Sequence, residues 1–185
     1  CIRDRTKGKP VVVLKTGSSA IGSNLTVSHT GSLSGSAELY EALFQRVGII
    51  SVTNPSQLLE TLKFLCVVGA PKGKQVVGFT CSGGGATMLA DHAEKIDLTF
   101  PEFKSTQQTE LSALLPDIAT VSNPLDYTTP IWGHAEMTYP VFAKAISAIE
   151  ADTAVLVQDY PAAEIDSSKV YYRNDAMAFA RASKE

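Results

Sequence analysis

The chain has 185 residues, 44% hydrophobic and 19% charged, with a formal net charge of −3. Such a composition gives a globular protein room for one medium domain or two small ones. The slight acidity and the lack of a Lys/Arg cluster exclude a nucleic-acid footprint, and no apolar run reaches membrane-spanning length. No secretory leader is expected. Cys1, Cys66 and Cys81 show neither CxxC spacing nor an even count, so they read as reduced thiols of a cytoplasmic protein, with no disulfide framework or metal site. Asn24-Leu-Thr26 fits a glycosylation pattern that matters only in a secreted protein.

Residues 10–15 are apolar, β-branched and short, as in a buried parallel strand. Small residues follow from Gly17 to about Gly35 and predict a long mobile loop whose only titratable side chain is His29. Residues 37–47 predict an amphipathic helix with Gly48 as its C-cap. Ile49–Val52 reads as a second strand. Asn54-Pro55 opens another helix, with Leu58, Leu59, Leu62 and Leu65 as its core face. One β-α-β-α unit is too small to bury its own faces, so it reads as the end of a doubly wound domain. The start at Cys1 and the helical tail likewise predict a piece of a larger polypeptide.

Residues 70–75 carry Pro, Gly and polar side chains and read as a linker. The stretch Gly69–Gln75 fails the Walker pattern, and its lysines read as solvated. A second α/β pattern begins at Val76–Thr80, a strand, followed by a tight turn over Cys81–Gly85 and a helix from Ala86 to Lys95. An extended piece near Leu98–Phe100, a helix from Ser105 to Leu115 and a turn over Asn123–Asp126 come next. Residues 135–149 are mostly helical despite Pro140, Thr153–Val157 is a strand, and Ser168–Ala182 a last helix. Alternating strands and helices predict α/β architecture: doubly wound parallel sheets of flavodoxin type, the first one incomplete. The expected domains are 1–69, then linker 70–75, then 76–185, truncated at its C-terminus.

His29 sits where open α/β sheets gather ligands, between a strand end and a helix start. A neutral imidazole there could act as a nucleophile, although a solvated loop histidine is the plainer alternative. Ser82, Gly83, Gly84 and Gly85 lie at a second strand-to-helix turn. There, unpaired backbone N–H groups and the helix dipole favour an anion, and glycines let it approach. The same glycines could instead serve close helix–sheet packing. Thr80–Gly84 approximates a hydrolase elbow around Ser82 or Cys81, but Thr80 replaces its first glycine. Asn123–Asp126 is generically an Asx-type turn. His92, His134, Asp91, Glu94 and Asp97 read as surface or structural residues.

The run Val27-Ser-His-Thr-Gly-Ser-Leu-Ser-Gly-Ser36, preceded by Lys9-Pro-Val-Val-Val-Leu-Lys-Thr-Gly17, resembles the phosphohistidine segment of NDP-forming acyl-CoA synthetases. These form a branch of the succinyl-CoA synthetase superfamily, and the match is nearly continuous from Lys9 to about Leu59. Phe79–Ala90, followed by Ser122–Asp126, resembles the domain after the histidine domain in these enzymes. The resemblance implies that His29 is transiently phosphorylated, with Ser28, Thr30, Gly31 and Ser32 as its loop. It implies that Ser82–Gly85 bind phosphate and that Asn123 and Asp126 line the site. Relatives fused to acetyltransferases can lack the histidine, so its presence favours catalysis over the alternative, a non-catalytic CoA-ligand-sensing module.

The implied reaction interconverts acyl-CoA, ADP and phosphate with acid, CoA and ATP, through an acyl phosphate and a phosphohistidine. CoA, ATP/ADP and magnesium belong to the complete enzyme, and this chain alone is expected to hold none of them. The implied partners are a CoA-binding and an ATP-grasp domain, in the same chain or a partner subunit of a homo- or hetero-oligomer.

Overall fold

The computed structural model describes residues 7–30, 36–162 and 167–184, with 26–30 described in backbone only. The chain forms two compact units, residues 1–70 and 71–185.

The first unit runs β1 (Val12–Leu14), α1 (Ala20–Thr30), α2 (Ala37–Val47), β2 (Ile50–Val52) and α3 (Pro55–Val67). β1 and β2 pair in parallel, with Val13 opposite Ser51. Ser36 Oγ accepts from Leu39 N to open α2, and Gly48 closes it at φ 65, the left-handed conformation a Cβ would penalise. Asn54 Oδ1 accepts from Gln57 N at 2.9 Å, ahead of Pro55, to start α3.

Two expectations need correction here. The predicted loop from Gly17 to Gly35 contains the helix α1, so His29 stands on a helix. Ser19 provides the nucleus: its hydroxyl accepts from Gly22 N at 3.0 Å and its carbonyl from Ser23 N at 2.8 Å. Those bonds overrule a weak propensity. The expected core face of α3 is not buried either. Leu59 is 66% and Leu62 41% exposed, because two strands give the helix too little sheet to cover it.

The second unit runs β3 (Val76–Thr80), α4 (Gly83–Glu94), α5 (Ser105–Ser112), β4 (Leu125–Asp126), α6 (Ala135–Ala148), β5 (Thr153–Leu156) and α7 (Lys169–Ala182). Its sheet is parallel, in the order β4-β3-β5. Every residue of the central strand β3 is buried, which an all-parallel sheet requires. Side chains alternate between faces along β3. Gly78 faces α4, where Leu89 leaves no room for a Cβ. Phe79 faces the other way and meets the Phe142 ring of α6 at 5.0 Å and Phe179 of α7 at 5.9 Å. Helices therefore cover both faces, as a doubly wound α/β fold demands.

Two boundaries differ from expectation. The helix after β3 begins at Gly83 rather than Ala86, so the glycines form its first turn. Asn123–Asp126 is not wholly a turn, since Leu125 and Asp126 form β4 against Phe79 and Thr80.

Candidate functional site

The C-terminal edge of β3 leads into α4 through Cys81 and Ser82. Ser82 is extended, at φ −150 and ψ 133, and its Oγ accepts from Gly85 N at 3.1 Å. Its carbonyl accepts from Ala86 N at 3.1 Å. Gly83 and Gly84 are the first helical residues, whose N–H groups have no preceding turn of carbonyls to bond.

The three glycines are not equivalent. A Cβ on Gly85 would collide with Thr80 Oγ1, so packing alone demands glycine there. A Cβ on Gly84 would meet only Ser82 Oγ, at 3.7 Å, and one on Gly83 only Asp126 Oδ2, at 3.6 Å. Both are ordinary contacts, so close packing does not explain those two glycines.

Asp126 ends β4 beside Gly83, and its Oδ1 accepts from Thr128 N at 2.9 Å. Its carboxylate suits the positive end of the α4 dipole and occupies the Gly83 side of the helix start. The Gly84–Gly85 side opens instead on a cavity of about 380 Å³. The structure thus gathers Ser82, the glycines and Asp126. Asn123 is directed elsewhere. Its Oδ1 accepts from Gly78 N at 3.0 Å, and its Nδ2 donates to the carbonyls of Val76 and Pro101, both at 2.9 Å.

His29, Ser28 and Thr30 lie in the last turn of α1, described in backbone alone, and Gly31 and Ser32 lie outside the described residues. His134 is the N-cap residue of α6, its carbonyl accepting from Met137 and Thr138 N. His92, expected to be a surface residue, also borders the cavity. Among the described residues, no group of three or more His, Cys, Asp and Glu side chains converges on a metal position.

The hydrolase reading finds little chemistry here. Burial pushes the Cys81 thiol up, and the charges of Asp175, Asp126 and Asp159 add to that, so the reactive thiolate is disfavoured. Ser82 Oγ serves as the helix cap, and no histidine bonds to it among the described residues.

Asp175 on α7 was not singled out in the sequence. It is fully buried. Its Oδ1 accepts from Gly133 N at 3.0 Å and Thr138 Oγ1 at 3.1 Å, and its Oδ2 from Tyr127 OH at 2.8 Å. Asn174 Nδ2 donates to the Gly133 carbonyl at 3.0 Å. Together these clamp the segment that follows Asp126. Within it Thr128 holds φ 65, uncommon for a β-branched residue, and its Oγ1 is buried without a hydrogen bond. One signal for Asp175 existed: it shares a helical stripe with Ala178 and Ala182, both buried.

Known proteins resemble the chain in sequence and in fold. Residues 1–65 match the family described as succinyl-CoA ligase like flavodoxin domain. The alpha subunit of an ADP-forming acetate–CoA ligase II from Pyrococcus furiosus is 37% identical over 121 residues, 65% of this chain and 26% of that protein. An ADP-forming acetate–CoA ligase from Methanocaldococcus jannaschii is 31% identical over 121 residues, 65% of this chain and 17% of that protein. The chain therefore spans about a quarter or less of these relatives. A dinucleotide-forming acetyl-coenzyme A synthetase 1 from Ca. Korarchaeum cryptofilum, solved with phosphate and ADP, superposes with a TM-score of 0.74. It covers 95% of this chain and 37% of its own at 24% identity, which shows the shared α/β fold. These relatives lend no support to the alternative of a non-catalytic sensing module. Residues 1–65 thus match a succinyl-CoA ligase like flavodoxin domain, within a chain that is similar to part of the ADP-forming acetate–CoA ligases.

Proposed function

We propose that the chain is part of an acid–thiol ligase that interconverts acyl-CoA, ADP and phosphate with acid, CoA and ATP. In the first step phosphate attacks the thioester carbonyl, giving an acyl phosphate and free CoA. An imidazole nitrogen of His29 then takes the phosphoryl group and releases the acid. Phosphohistidine finally passes that group to ADP, and each step runs in reverse as well. Neutral imidazole is the nucleophile, and Ser28, Thr30, Gly31 and Ser32 are its small neighbours. Ser82, Gly83, Gly84 and Gly85 form the phosphate site: the N–H groups at Gly83 and Gly84 and the helix dipole bind the phosphoryl oxygens, the Gly85 N–H is held by the Ser82 cap, and Asp126 borders the site.

The observation that carries this reading is Gly84: glycine stands at a helix start where packing would accept a Cβ, on the side that Asp126 leaves open. Close approach of an anion accounts for it. The relatives named as ADP-forming acetate–CoA ligases support the same chemistry.

In this reading CoA and ATP or ADP bind mainly outside the chain, and magnesium arrives with the nucleotide. The partners are CoA-binding and ATP-grasp domains, in the same polypeptide or a partner subunit, within an oligomer. Residues 1–69 serve as part of the histidine domain, 70–75 as linker and 76–185 as the second flavodoxin-like domain. The compact units meeting at Ala70 and Pro71 support that division. The protein works in the cytoplasm, in keeping with the free thiols of Cys66 and Cys81.

The test is direct. The full-length protein, incubated with γ-labelled ATP and magnesium, should form an acid-labile, base-stable phosphoprotein. His29→Asn should abolish that label and keep the fold. Label that persists in the variant, or that maps to Ser82, would overturn the assignment.

A further inference from the structure

The connection from β4 to α6 concentrates backbone strain and unpaired polar atoms. Thr128 holds φ 65, a conformation that a β-branched residue keeps only where its surroundings over-determine it. Two buried side-chain atoms lack a hydrogen bond among the described residues, Thr128 Oγ1 and Trp132 Nε1. Both belong to this connection.

The restraint comes from α7. Asp175 holds the connection at both ends: its Oδ2 accepts from Tyr127 OH at 2.8 Å, and its Oδ1 from Gly133 N at 3.0 Å. Asn174, its neighbour on α7, donates from Nδ2 to the Gly133 carbonyl at 3.0 Å. Between those ends Ile131 is buried, and the centroids of the Trp132 and Tyr172 rings lie 4.9 Å apart. Asp175 is itself fully buried. An apolar side chain would serve packing alone better, since burying a carboxyl is costly.

The strained residue acts on the start of α4. Thr128 N donates to Asp126 Oδ1 at 2.9 Å, and Asp126 Oδ2 stands on the Gly83 side. With Ile131 anchored in the core, relaxation of Thr128 to negative φ would turn that N–H away from the carboxylate. A released carboxylate is drawn to the positive end of the nearest helix dipole, which here is α4. It would then cap Gly84, the side that Asp126 now leaves open.

Resting on the functional reading above, we propose that Asp175 is a positioning residue for transfer of the phosphoryl group between phosphohistidine and the acid. By clamping Tyr127 and Gly133 it keeps Thr128 at positive φ. Thr128 in turn keeps the Asp126 carboxylate off the Gly84 N–H. Asp175 touches no reacting atom. Loading of His29 from ATP, whose nucleotide binds mainly outside the chain, does not depend on it.

The experiment uses the full-length protein with γ-labelled ATP and magnesium and follows two rates. One is phosphohistidine formation; the other is its discharge by CoA with a mixture of acetate, butanoate and 3-phenylpropanoate. In the discharge a carboxylate oxygen takes the phosphoryl group from the imidazole nitrogen. Tyr127→Phe opens one end of the clamp and keeps the ring in the core, whereas Asp175→Ala opens both ends. Each variant should load within about twofold of the parent and discharge about 10–100-fold more slowly, the scale of a misplaced group at a reacting centre. Asp175→Asn retains the acceptor for Gly133 and should discharge faster than Asp175→Ala. Glycine adopts φ 65 without a Cβ penalty, so Thr128→Gly added to Tyr127→Phe should restore discharge to within about threefold of the parent. A merely structural role predicts no such rescue, because glycine loosens a chain rather than supporting it. Parent-like discharge in Tyr127→Phe, loading and discharge slowed alike, or no recovery with Thr128→Gly would overturn the inference. Tyr127→Phe decides the matter if Asp175→Ala does not fold. A parent that takes no label, or whose label the acids and CoA do not discharge, defeats the functional reading beneath it instead.

Discussion

The hydroxyl of Tyr127 donates a 2.8 Å hydrogen bond to Oδ2 of Asp175, and both side chains are fully buried. The pair ties α7 to the segment that follows β4, and so to the carboxylate beside the α4 start. Burial pushes the Asp175 carboxyl up, against the opposing effect of its three hydrogen bonds. Burial and the neighbouring carboxylate push the Tyr127 phenol up as well, so it remains a donor.

Asp175→Ala should cost about 3 kcal/mol or more, because a buried donor left unpaired costs ~1–3 kcal/mol and three are stranded. Asp175→Asn keeps the acceptor for Gly133 and Thr138 and should cost less. The pH dependence has a definite sign. A carboxyl raised above its ordinary 3.8 keeps its proton longer when folded than when unfolded. Stability from this group therefore falls as pH rises from 3.8 through the raised value, then stays level. Urea midpoints of parent and Asp175→Asn, followed from below that window to neutrality, should diverge most at the acid end. A constant difference would show that the carboxyl is not raised.

The glycines of α4 make a second, steric prediction. Gly84→Ala should be neutral or stabilise by up to ~1 kcal/mol, since alanine is the better helix former and its Cβ has space. Gly85→Ala should destabilise by about 1–3 kcal/mol through its collision with Thr80. Thermal unfolding of the two variants decides the matter, and equal losses would mean that both glycines serve packing.

Asn123 offers a third prediction. Its amide satisfies two carbonyls and one N–H around the buried strand β3 and Pro101. Asn123→Ala strands these groups and should cost about 2–4 kcal/mol, on the basis of ~1–3 kcal/mol per buried group left unpaired. Asn123→Asp should be no better, because a carboxylate would face the Val76 and Pro101 carbonyls. Urea unfolding measures both, and a loss below about 1 kcal/mol in each would show that water replaces the clip.

The cases that were legible in the sequence have local causes. Gly48 after an amphipathic run and Asn54-Pro55 before another mark helix ends through backbone geometry that short segments fix alone. Val76–Thr80 reads as a buried strand because five residues without a charge have only one use at the centre of a parallel sheet. The misses have non-local causes or ambiguous composition. Ala20–Thr30 is rich in Gly, Ser and Thr and lacks a clear apolar stripe, so nothing in its pattern announces α1. Glycine at 83–85 reads equally as a turn or as a first helical turn. Asn123 resembles any turn asparagine until Gly78 and Pro101 come within reach of its amide. The cavity next to α4 needs Val157 and Tyr172 from distant segments, which no spacing rule connects.

The last prediction concerns ligand affinity of this chain by itself. Its proposed phosphate contact is a single helix start, and one such terminus contributes at most ~2 kcal/mol to anion binding. A dissociation constant of 1 mM already requires ~4.1 kcal/mol. Asp126 at the Gly83 side works against an anion, so the shortfall is not made up there. The described residues supply no cluster of acidic and histidine ligands to hold magnesium beside a nucleotide. Calorimetry of the isolated chain should therefore detect neither ATP nor CoA binding at submillimolar concentration, and no acyl-CoA should form. Activity should return when CoA-binding and ATP-grasp domains are supplied, covalently or in trans. Submillimolar binding of either ligand would place a nucleotide site within these residues and shift the division of labour proposed for the enzyme.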